Sequence, residues 1–214
     1  ISRLINKYPF NMTHNYELPV TEFENIYNTI KKLDLNSTMK IKGLSSGRAD
    51  IFPSALAVMK AVLSRFDFQK ITISGCGLRE GAMFRYAVPG VNERPLSDVL
   101  GHSIYTQMKY HDLNIAHAEH VYNLSIQLFK QLKVLHKMPR VYVRVLKIAA
   151  LLHDSGMRIK FYNHQLHSAY IILNSNLYGV PHKDIVVAAF VAAGHRKAEN
   201  ARDEILKYKD MLTQ

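Results

Sequence analysis

A histidine and an aspartate stand side by side at the end of an apolar stretch, in the segment LKIAALLHDSG at 146–156. The apolar residues before them predict a core helix, so His153 and Asp154 lie where that helix ends. Burying a charge costs free energy unless a partner neutralises it. The pair is therefore either a detail of a helix end or part of a chemical site.

Further histidines accompany this pair in the second half of the sequence. Ten of the eleven histidines fall within 102–195. Four of them join the candidate site. His117 lies on the apolar face of an earlier predicted helix, and His195 lies at the end of the last one. His164 and His167 are three residues apart on the helix that follows the His-Asp pair, so they share one face. Imidazoles and a carboxylate that converge from several helices suit a divalent metal ion, which lowers the pKa of a bound water. The alternative is that these histidines are hydrogen-bonded core residues.

A glycine-rich segment, ISGCGLREGAMF at 73–84, predicts a second kind of site. Glycines let the backbone approach a ligand, and free N–H groups at the start of a following helix suit an anion. An arginine guanidinium pairs well with phosphate. The candidate substrate-binding residues are Arg48, Gly75, Gly77, Arg79, Glu80 and Gly81. The alternative is structural: Arg48 pairs with Asp50, while Arg79 and Glu80 pair with neighbouring residues.

Two regions of different character must position these residues. Residues 1–98 mix strand-like and helix-like patterns, residues 99–214 predict helices throughout, and VPGVNERPLSD at 88–98 marks the join. In the first region we predict a helix that begins with the capping box Thr21-x-x-Glu24, a helix over about 53–66 with its apolar positions inward, and a strand over 70–75. In the second region the predicted helices span about 112–135, 141–153, 164–177 and 182–194.

The histidine pattern resembles the HD superfamily of phosphohydrolases. By position, His117 matches the family's first histidine, and His153 with Asp154 matches its His-Asp doublet. The resemblance implies that these three residues bind the metal ion. The family's distal aspartate has no clear counterpart, because Asp203 and Asp210 lie in a charged stretch.

Longer motifs in both regions resemble the Ppx/GppA family of exopolyphosphatases and guanosine pentaphosphate phosphohydrolases. These motifs are GLSSGRADIF at 43–52, ISGCGLREGAMF at 73–84, NHQLHSAYIILNSNLYG at 163–179 and HRKA at 195–198. The resemblance implies an α+β fold, in which 1–98 is the C-terminal part of the second lobe of an actin-like (RNase H-like) α/β unit. It also implies that 99–214 is an all-α, HD-like bundle, incomplete at its C-terminus.

The same resemblance implies a function for the longer parent protein. We expect an exopolyphosphatase that releases orthophosphate from the end of inorganic polyphosphate with Mg²⁺ or another divalent ion. One alternative is hydrolysis of guanosine pentaphosphate, and another is a non-catalytic bundle that binds polyphosphate or dimerises. The main catalytic residues are expected in a first lobe that this chain does not include, so we expect the chain alone to be inactive.

Composition narrows the range of partners. The net charge of +11 favours polyanionic ligands, but the basic residues are spread along the chain, which argues against a dedicated nucleic-acid module. No apolar run reaches the 18–20 or so residues of a spanning helix, so we expect no membrane partner. A single cysteine, Cys76, fits a reducing cytoplasm. The sheet edge that a partial lobe exposes predicts self-association through 1–98, with a homodimer as the expected state.

Overall fold

The computed structural model describes residues 14–41, 43–87 and 97–196, together with Tyr208 and Leu212. These described residues are mostly helical with one small sheet, which agrees with an α+β class. It divides into two compact units, Ile1–Gly75 and Cys76–Gln214. This division falls earlier than the predicted boundary after residue 98, and most of the predicted join at 88–98 lies outside the described residues.

The first unit combines two strands with short helices. The order is β1 (Tyr16–Pro19), α1 (Val20–Ile30), α2 (Leu35–Met39), a 3₁₀ turn (Ser46–Arg48), α3 (Phe52–Phe66) and β2 (Lys70–Ile73). The strands pair antiparallel, with Leu18 opposite Ile71. The core of this unit is formed by Leu18, Phe23, Ile30 and Leu56.

Two details of this unit differ from the sequence prediction. Helix α1 follows Pro19 directly, and no side chain caps its N-terminus, so the predicted Thr21 capping box is wrong. Helix α3 buries Leu56, whereas Val58, Val62 and Phe66 are between 48% and 66% exposed. Helix α3 packs against α1, and this contact leaves much of the broad apolar stripe exposed.

The second unit is a bundle of helices. Its elements are α4 (Leu78–Ala87), α5 (Val99–Tyr110), α6 (Ile115–Gln131), α7 (Lys133–His136), α8 (Tyr142–Leu152), a 3₁₀ turn (Ser155–Arg158), α9 (His164–Asn174) and α10 (His182–Gly194). The predicted helices of 99–214 are therefore present, with ends that shift by a few residues.

Helix α8 lies at the centre of this bundle, in contact with α5, α6 and α10. Its run from Ile148 to Leu152 is buried throughout, which removes apolar surface from water on every side of the helix. The carboxylate of Asp98 caps the N-terminus of α5 and also accepts a hydrogen bond from Lys147 of α8 at 2.8 Å. These contacts position the C-terminal end of α8, where the His-Asp pair lies. In the described part of the chain, every helix is too short or too polar to cross a membrane.

Candidate metal centre

The structure places His153 and Asp154 directly after the last residue of α8. The chain turns there into the 3₁₀ segment, so both side chains leave the apolar core together. The side chain of His153 is 12% exposed and that of Asp154 is 24% exposed. The two groups face each other, with 3.2 Å between His153 Nε2 and Asp154 Oδ2. The two side chains are thus half-buried and contact each other.

His117 approaches the same carboxylate from α6. Its Nε2 lies 3.5 Å from Asp154 Oδ2, and its ring centroid lies 5.4 Å from that of His153. The prediction that His117 points inward is only partly right, because its side chain is 50% exposed. Helix α6 buries Ala118 instead, and the predicted stripe residues Leu124 and Leu128 are about half exposed. His117 therefore lies on the border of the buried face, where it reaches both Asp154 and solvent.

Two more histidines complete the cluster from α9 and from the end of α10. His164 Nε2 lies 3.3 Å from Asp154 Oδ1 and 3.2 Å from His195 Nε2. His195 also packs edge-on against His153, with ring centroids 5.2 Å apart. His167 was predicted to lie nearby, but it belongs to neither set of close ligand atoms among the described residues.

A glycine holds the loop after Asp154 against α9. A Cβ at Gly156 would lie 2.2 Å from the backbone oxygen of His164 and 2.5 Å from the backbone nitrogen of Ser168. The Gly156 N–H donates a hydrogen bond to Ser168 Oγ at 2.8 Å, and Ser168 is fully buried. Only a residue without a side chain allows this approach, which brings Asp154 next to His164.

Backbone carbonyls determine which nitrogen of three rings carries the proton. The Nδ1 atoms of His153, His164 and His195 lie 2.9, 2.9 and 2.7 Å from the carbonyl oxygens three residues earlier. A carbonyl oxygen only accepts, so each Nδ1 must donate. In the neutral ring the Nε2 atom then has a free lone pair. Ligand histidines in proteins are held in the same way.

The cluster favours an ionised carboxylate. The hydrogen bond from His153 lowers the pKa of Asp154 below its ordinary value, even though burial acts in the opposite direction. Burial opposes protonation of His153, but its bonds to Asp154 and to the Ala150 carbonyl raise the pKa of the ring overall. Burial lowers the pKa of His195. A negative carboxylate therefore faces imidazole nitrogens at neutral pH.

The donor atoms form two sets of three that share Asp154. One set is His117, His153 and Asp154, and the other is Asp154, His164 and His195; within each set all ligand atoms lie within 4.8 Å of one another. Such a spacing suits ligands of one divalent ion. The donors are mostly nitrogen, which fits a first-row transition metal better than the predicted Mg²⁺, an ion that prefers oxygen ligands.

The predicted phosphate-binding residues are distributed over both units. Arg48 lies in the exposed 3₁₀ turn of the first unit, and no ion pair between it and Asp50 occurs among the described residues. Arg79, Glu80 and Gly81 lie in the first turn of α4.

The backbone N–H groups of the glycine-rich segment already have acceptors. The Gly77 N–H donates to Glu80 Oε2 at 2.8 Å, and the Gly75 N–H donates to His14 Nδ1 at 3.1 Å. The expectation of free N–H groups for an anion is therefore wrong at these two glycines. Glu80 serves as a local cap of the helix start, and the guanidinium groups of Arg48 and Arg79 remain as candidate phosphate contacts.

Comparison with known proteins agrees with the motifs. The family model described as "Ppx/GppA phosphatase, domain III" matches residues 101–212, and the model "Ppx/GppA phosphatase family" matches residues 4–88. The chain belongs to the Ppx/GppA phosphatase family. The domain III match spans α5 to α10 and so includes every residue of the His-Asp cluster.

Several curated relatives of this Ppx/GppA chain share the name "Guanosine-5'-triphosphate,3'-diphosphate pyrophosphatase". The protein from Aeromonas salmonicida is 32% identical over 142 residues, which cover 66% of this chain and 28% of the relative. That from Pseudoalteromonas translucida is 29% identical over 176 residues, 79% of this chain and 32% of the relative. That from Vibrio vulnificus is 26% identical over 160 residues, 74% of this chain and 31% of the relative. The chain thus spans about a third or less of the length of these relatives.

Sequence reasoning did not anticipate how the cluster in this Ppx/GppA chain is divided. His164 and His195 were expected only to lie close to a site made by His117, His153 and Asp154, whereas they form with Asp154 a second set of mutually close ligand atoms. The structural role of Gly156 was also missed. The signal was present in the segment HDSG at 153–156, where a glycine stands two residues after Asp154.

Proposed function

We propose that this chain is the C-terminal part of a phosphohydrolase that acts on guanosine pentaphosphate. The observation that carries the proposal is the shared name of the relatives, whose matches extend over up to 79% of the chain. In the proposed reaction, water attacks the terminal phosphorus of the 5'-triphosphate and the adjacent phosphoanhydride bond breaks. Orthophosphate and guanosine tetraphosphate are the products.

Within this proposal the two units have separate tasks. The first unit is part of an actin-like lobe, and the second is an HD-like bundle. We place the main catalytic residues in parts of the parent outside this chain, which accounts for about a third or less of each relative. Arg48 and Arg79 neutralise substrate phosphates, because bidentate guanidinium contacts suit phosphate oxygens.

The His-Asp cluster is proposed to hold a divalent ion. In their neutral forms the rings of His153, His164 and His195 would supply Nε2 ligands beside the ionised carboxylate, and the half-exposed His117 leaves one side open to solvent. A bound divalent ion at such a site polarises phosphate oxygens and lowers the pKa of water. Mg²⁺ remains a prediction for the phosphate groups of the substrate, where oxygen ligands prevail.

The test is phosphate release from guanosine pentaphosphate by the full-length parent and by this chain. We expect turnover by the parent and none by the chain, because one wall of a cleft cannot position the substrate and its charges. In the parent, Arg79→Gln should lower turnover at least about 10-fold through the loss of a charged phosphate contact, with exposed Arg85→Gln as the matched control on the same helix. Comparable turnover by the isolated chain would place catalysis in the cluster itself.

An exopolyphosphatase is the second candidate function, and the net charge of +11 favours it. A long polyanion meets many exposed Lys and Arg side chains, and that attraction is screened by salt. We expect the chain to bind polyphosphate with an affinity that falls as salt rises. Turnover of polyphosphate by the parent at a higher kcat/KM than guanosine pentaphosphate would favour this candidate over the first.

We also propose a cytoplasmic location and a homodimer in which residues 1–98 take part. The described sheet has two strands, and an exposed strand edge is prone to pair with another chain. Sedimentation of the chain over a range of concentrations should show a dimer. A monomer at every concentration contradicts the proposed self-association.

A further inference from the structure

Residues 128–141, here called the α7 segment, expose many apolar side chains to solvent. Val134 and Leu135, both in α7, are 82% and 78% exposed. Four more apolar residues of the segment are between 42% and 56% exposed: Leu128, Leu132, Met138 and Val141. Single exposed apolar residues are common on proteins, but a concentration of this kind marks a contact surface.

The same part of the second unit is strongly basic. Residues 120–153 contain six Lys or Arg and no Asp or Glu. Two of the six pair with other parts of the unit, Arg144 with Asp184 and Lys147 with Asp98. The other four are exposed and form no ion pair with any described residue: Lys130, Lys133, Lys137 and Arg140. These four charges attract a negatively charged surface.

A histidine fixes the conformation of the α7 segment. His136 Nδ1 accepts the N–H of Met138 at 2.9 Å, and His136 Nε2 lies 2.7 Å from the carbonyl oxygen of Phe129. Because that carbonyl only accepts, Nε2 must donate. The rings of His136 and Phe129 also stack, with centroids 4.4 Å apart. The apolar and basic side chains are therefore presented on an ordered backbone, which lowers the entropy cost of docking.

The chemistry of the segment favours a lipid surface over other acidic partners. A nucleic acid or a polyphosphate chain pairs with Lys and Arg, but such a partner leaves the exposed aliphatic side chains in water. A partner helix needs a groove, whereas Val134 and Leu135 are so exposed that they must protrude. At a bilayer surface, aliphatic side chains enter the boundary between headgroups and acyl chains, and long basic side chains reach the phosphates.

We propose that the α7 segment docks on the surface of an anionic phospholipid bilayer. Val134 and Leu135 enter the interface, and the four unpaired Lys and Arg side chains contact lipid phosphates. The expectation of no membrane partner followed from the lack of a spanning run, and a surface contact needs no spanning helix. The proposal therefore revises that expectation, and it does not depend on the identity of the substrate.

Binding of the 214-residue chain to vesicles tests the role of the charges. The chain is sedimented alone, with vesicles of phosphatidylcholine, and with vesicles that also contain phosphatidylglycerol. We expect binding to the anionic vesicles only, and we expect it to weaken as salt rises. Lys133→Gln combined with Lys137→Gln should weaken it at least about 10-fold, because each charge near the surface contributes about 5-fold. The matched control combines Lys32→Gln with Lys40→Gln, two exposed lysines of the first unit, and should bind like the unmodified chain.

A tryptophan probe tests the apolar contact. The chain has no Trp, so Leu135→Trp introduces a single fluorophore of that kind. Its emission should shift to the blue with anionic vesicles and should be quenched by brominated acyl chains. Leu78→Trp, at a position that is 91% exposed in α4, is the matched control and should show neither effect. Val134→Ser combined with Leu135→Ser should weaken binding at least about 10-fold through the loss of apolar burial.

Each outcome supports or overturns the proposal. No binding to anionic vesicles at low salt overturns it, and so does equal binding to phosphatidylcholine alone. Binding that both double variants of the segment retain, or an unshifted emission of Leu135→Trp, contradicts the assignment of the surface. RNA or polyphosphate bound through Lys133 and Lys137, without vesicle binding, would assign the segment to a free polyanion instead.

Circular dichroism of each variant shows whether the helices remain formed. The substituted side chains are exposed, so we expect every variant to fold. Phosphate release by the parent is measured separately, so the proposed hydrolysis stands or falls independently of the membrane contact.

Discussion

Replacing Gly156 by alanine should disrupt the His-Asp cluster through packing alone. The φ angle of Gly156 is not in the left-handed region, so the substitution meets no backbone strain of that kind. The new Cβ would instead lie 2.2 Å from the His164 oxygen and 2.5 Å from the Ser168 nitrogen, both of which are backbone atoms that cannot rotate away. The loop must therefore move away from α9.

The cost follows from two contributions. Forcing a methyl group into a packed contact costs about 1–3 kcal/mol. Displacing the loop also breaks the bond from the Gly156 N–H to Ser168 Oγ, and an unsatisfied buried group costs about 1–3 kcal/mol. We expect the free energy of unfolding to fall by at least about 2 kcal/mol and divalent-metal binding at the His-Asp cluster to be lost.

Urea unfolding followed by circular dichroism measures the free energy of unfolding. Titration with Co²⁺ measures whether the His-Asp cluster still binds a divalent ion. The matched control is Gly81→Ala in α4, where a Cβ would meet nothing within 4 Å. Alanine is the better helix former there, so stability should rise by up to about 1 kcal/mol. Equal stability of Gly156→Ala and the unmodified chain, with cobalt binding retained, would refute the packing argument.

Further predictions concern separate parts of the chain. Ser168→Ala leaves the buried Gly156 N–H without its acceptor and should cost about 1–3 kcal/mol in urea unfolding; a loss below 0.5 kcal/mol or so would mean that the hydrogen bond is replaced. Burial lowers the pKa of His182 to about 4, whereas the unfolded chain binds its proton near 6.5, so stability is full above about pH 6.5 and is lost as the pH falls toward 4. Between pH 7 and pH 5 protonation of His182 alone should lower the free energy of unfolding by roughly 2 kcal/mol. The chelator-treated His182→Gln variant should lack that part of the pH dependence of stability. Identical pH dependence in both proteins would contradict the role given to His182. Phe23→Ala in the core of the first unit should cost about 3–5 kcal/mol by thermal or urea unfolding, whereas the exposed Phe66→Ala should cost less than about 1 kcal/mol.

Local patterns in the sequence predicted the elements of the second unit well. The apolar runs before His153 and before His195 predict core helices, and α8 and α10 bury six and eight of their residues. Such runs are reliable because a helix that is apolar on most sides has no stable place other than the interior. The motifs around Arg48, Gly77 and His164 likewise led to the family that the comparisons show.

The orientation of amphipathic helices was less predictable. The apolar positions of α3 and α6 gave the correct secondary structure, but Val58, Phe66 and Leu128 are exposed whereas Leu56 and Ala118 are buried. Periodicity shows that a helix has an apolar face, and it does not show how much of that face a neighbour covers. The covered area depends on which elements pack there, which is a property of the whole fold.

The sequence by itself determined the helices, the family and the residue types available for a metal site. Only the tertiary structure decided how those residues are grouped. His117, Asp154, His164 and His195 come from four different places in the chain, and the approach of the Gly156 loop to α9 sets which carboxylate oxygen meets which imidazole. The tautomers are likewise a tertiary result, because a carbonyl three residues earlier accepts from Nδ1 only when the ring adopts the rotamer that the surrounding helices allow. The donor types follow from composition, whereas the direction of each lone pair follows from packing.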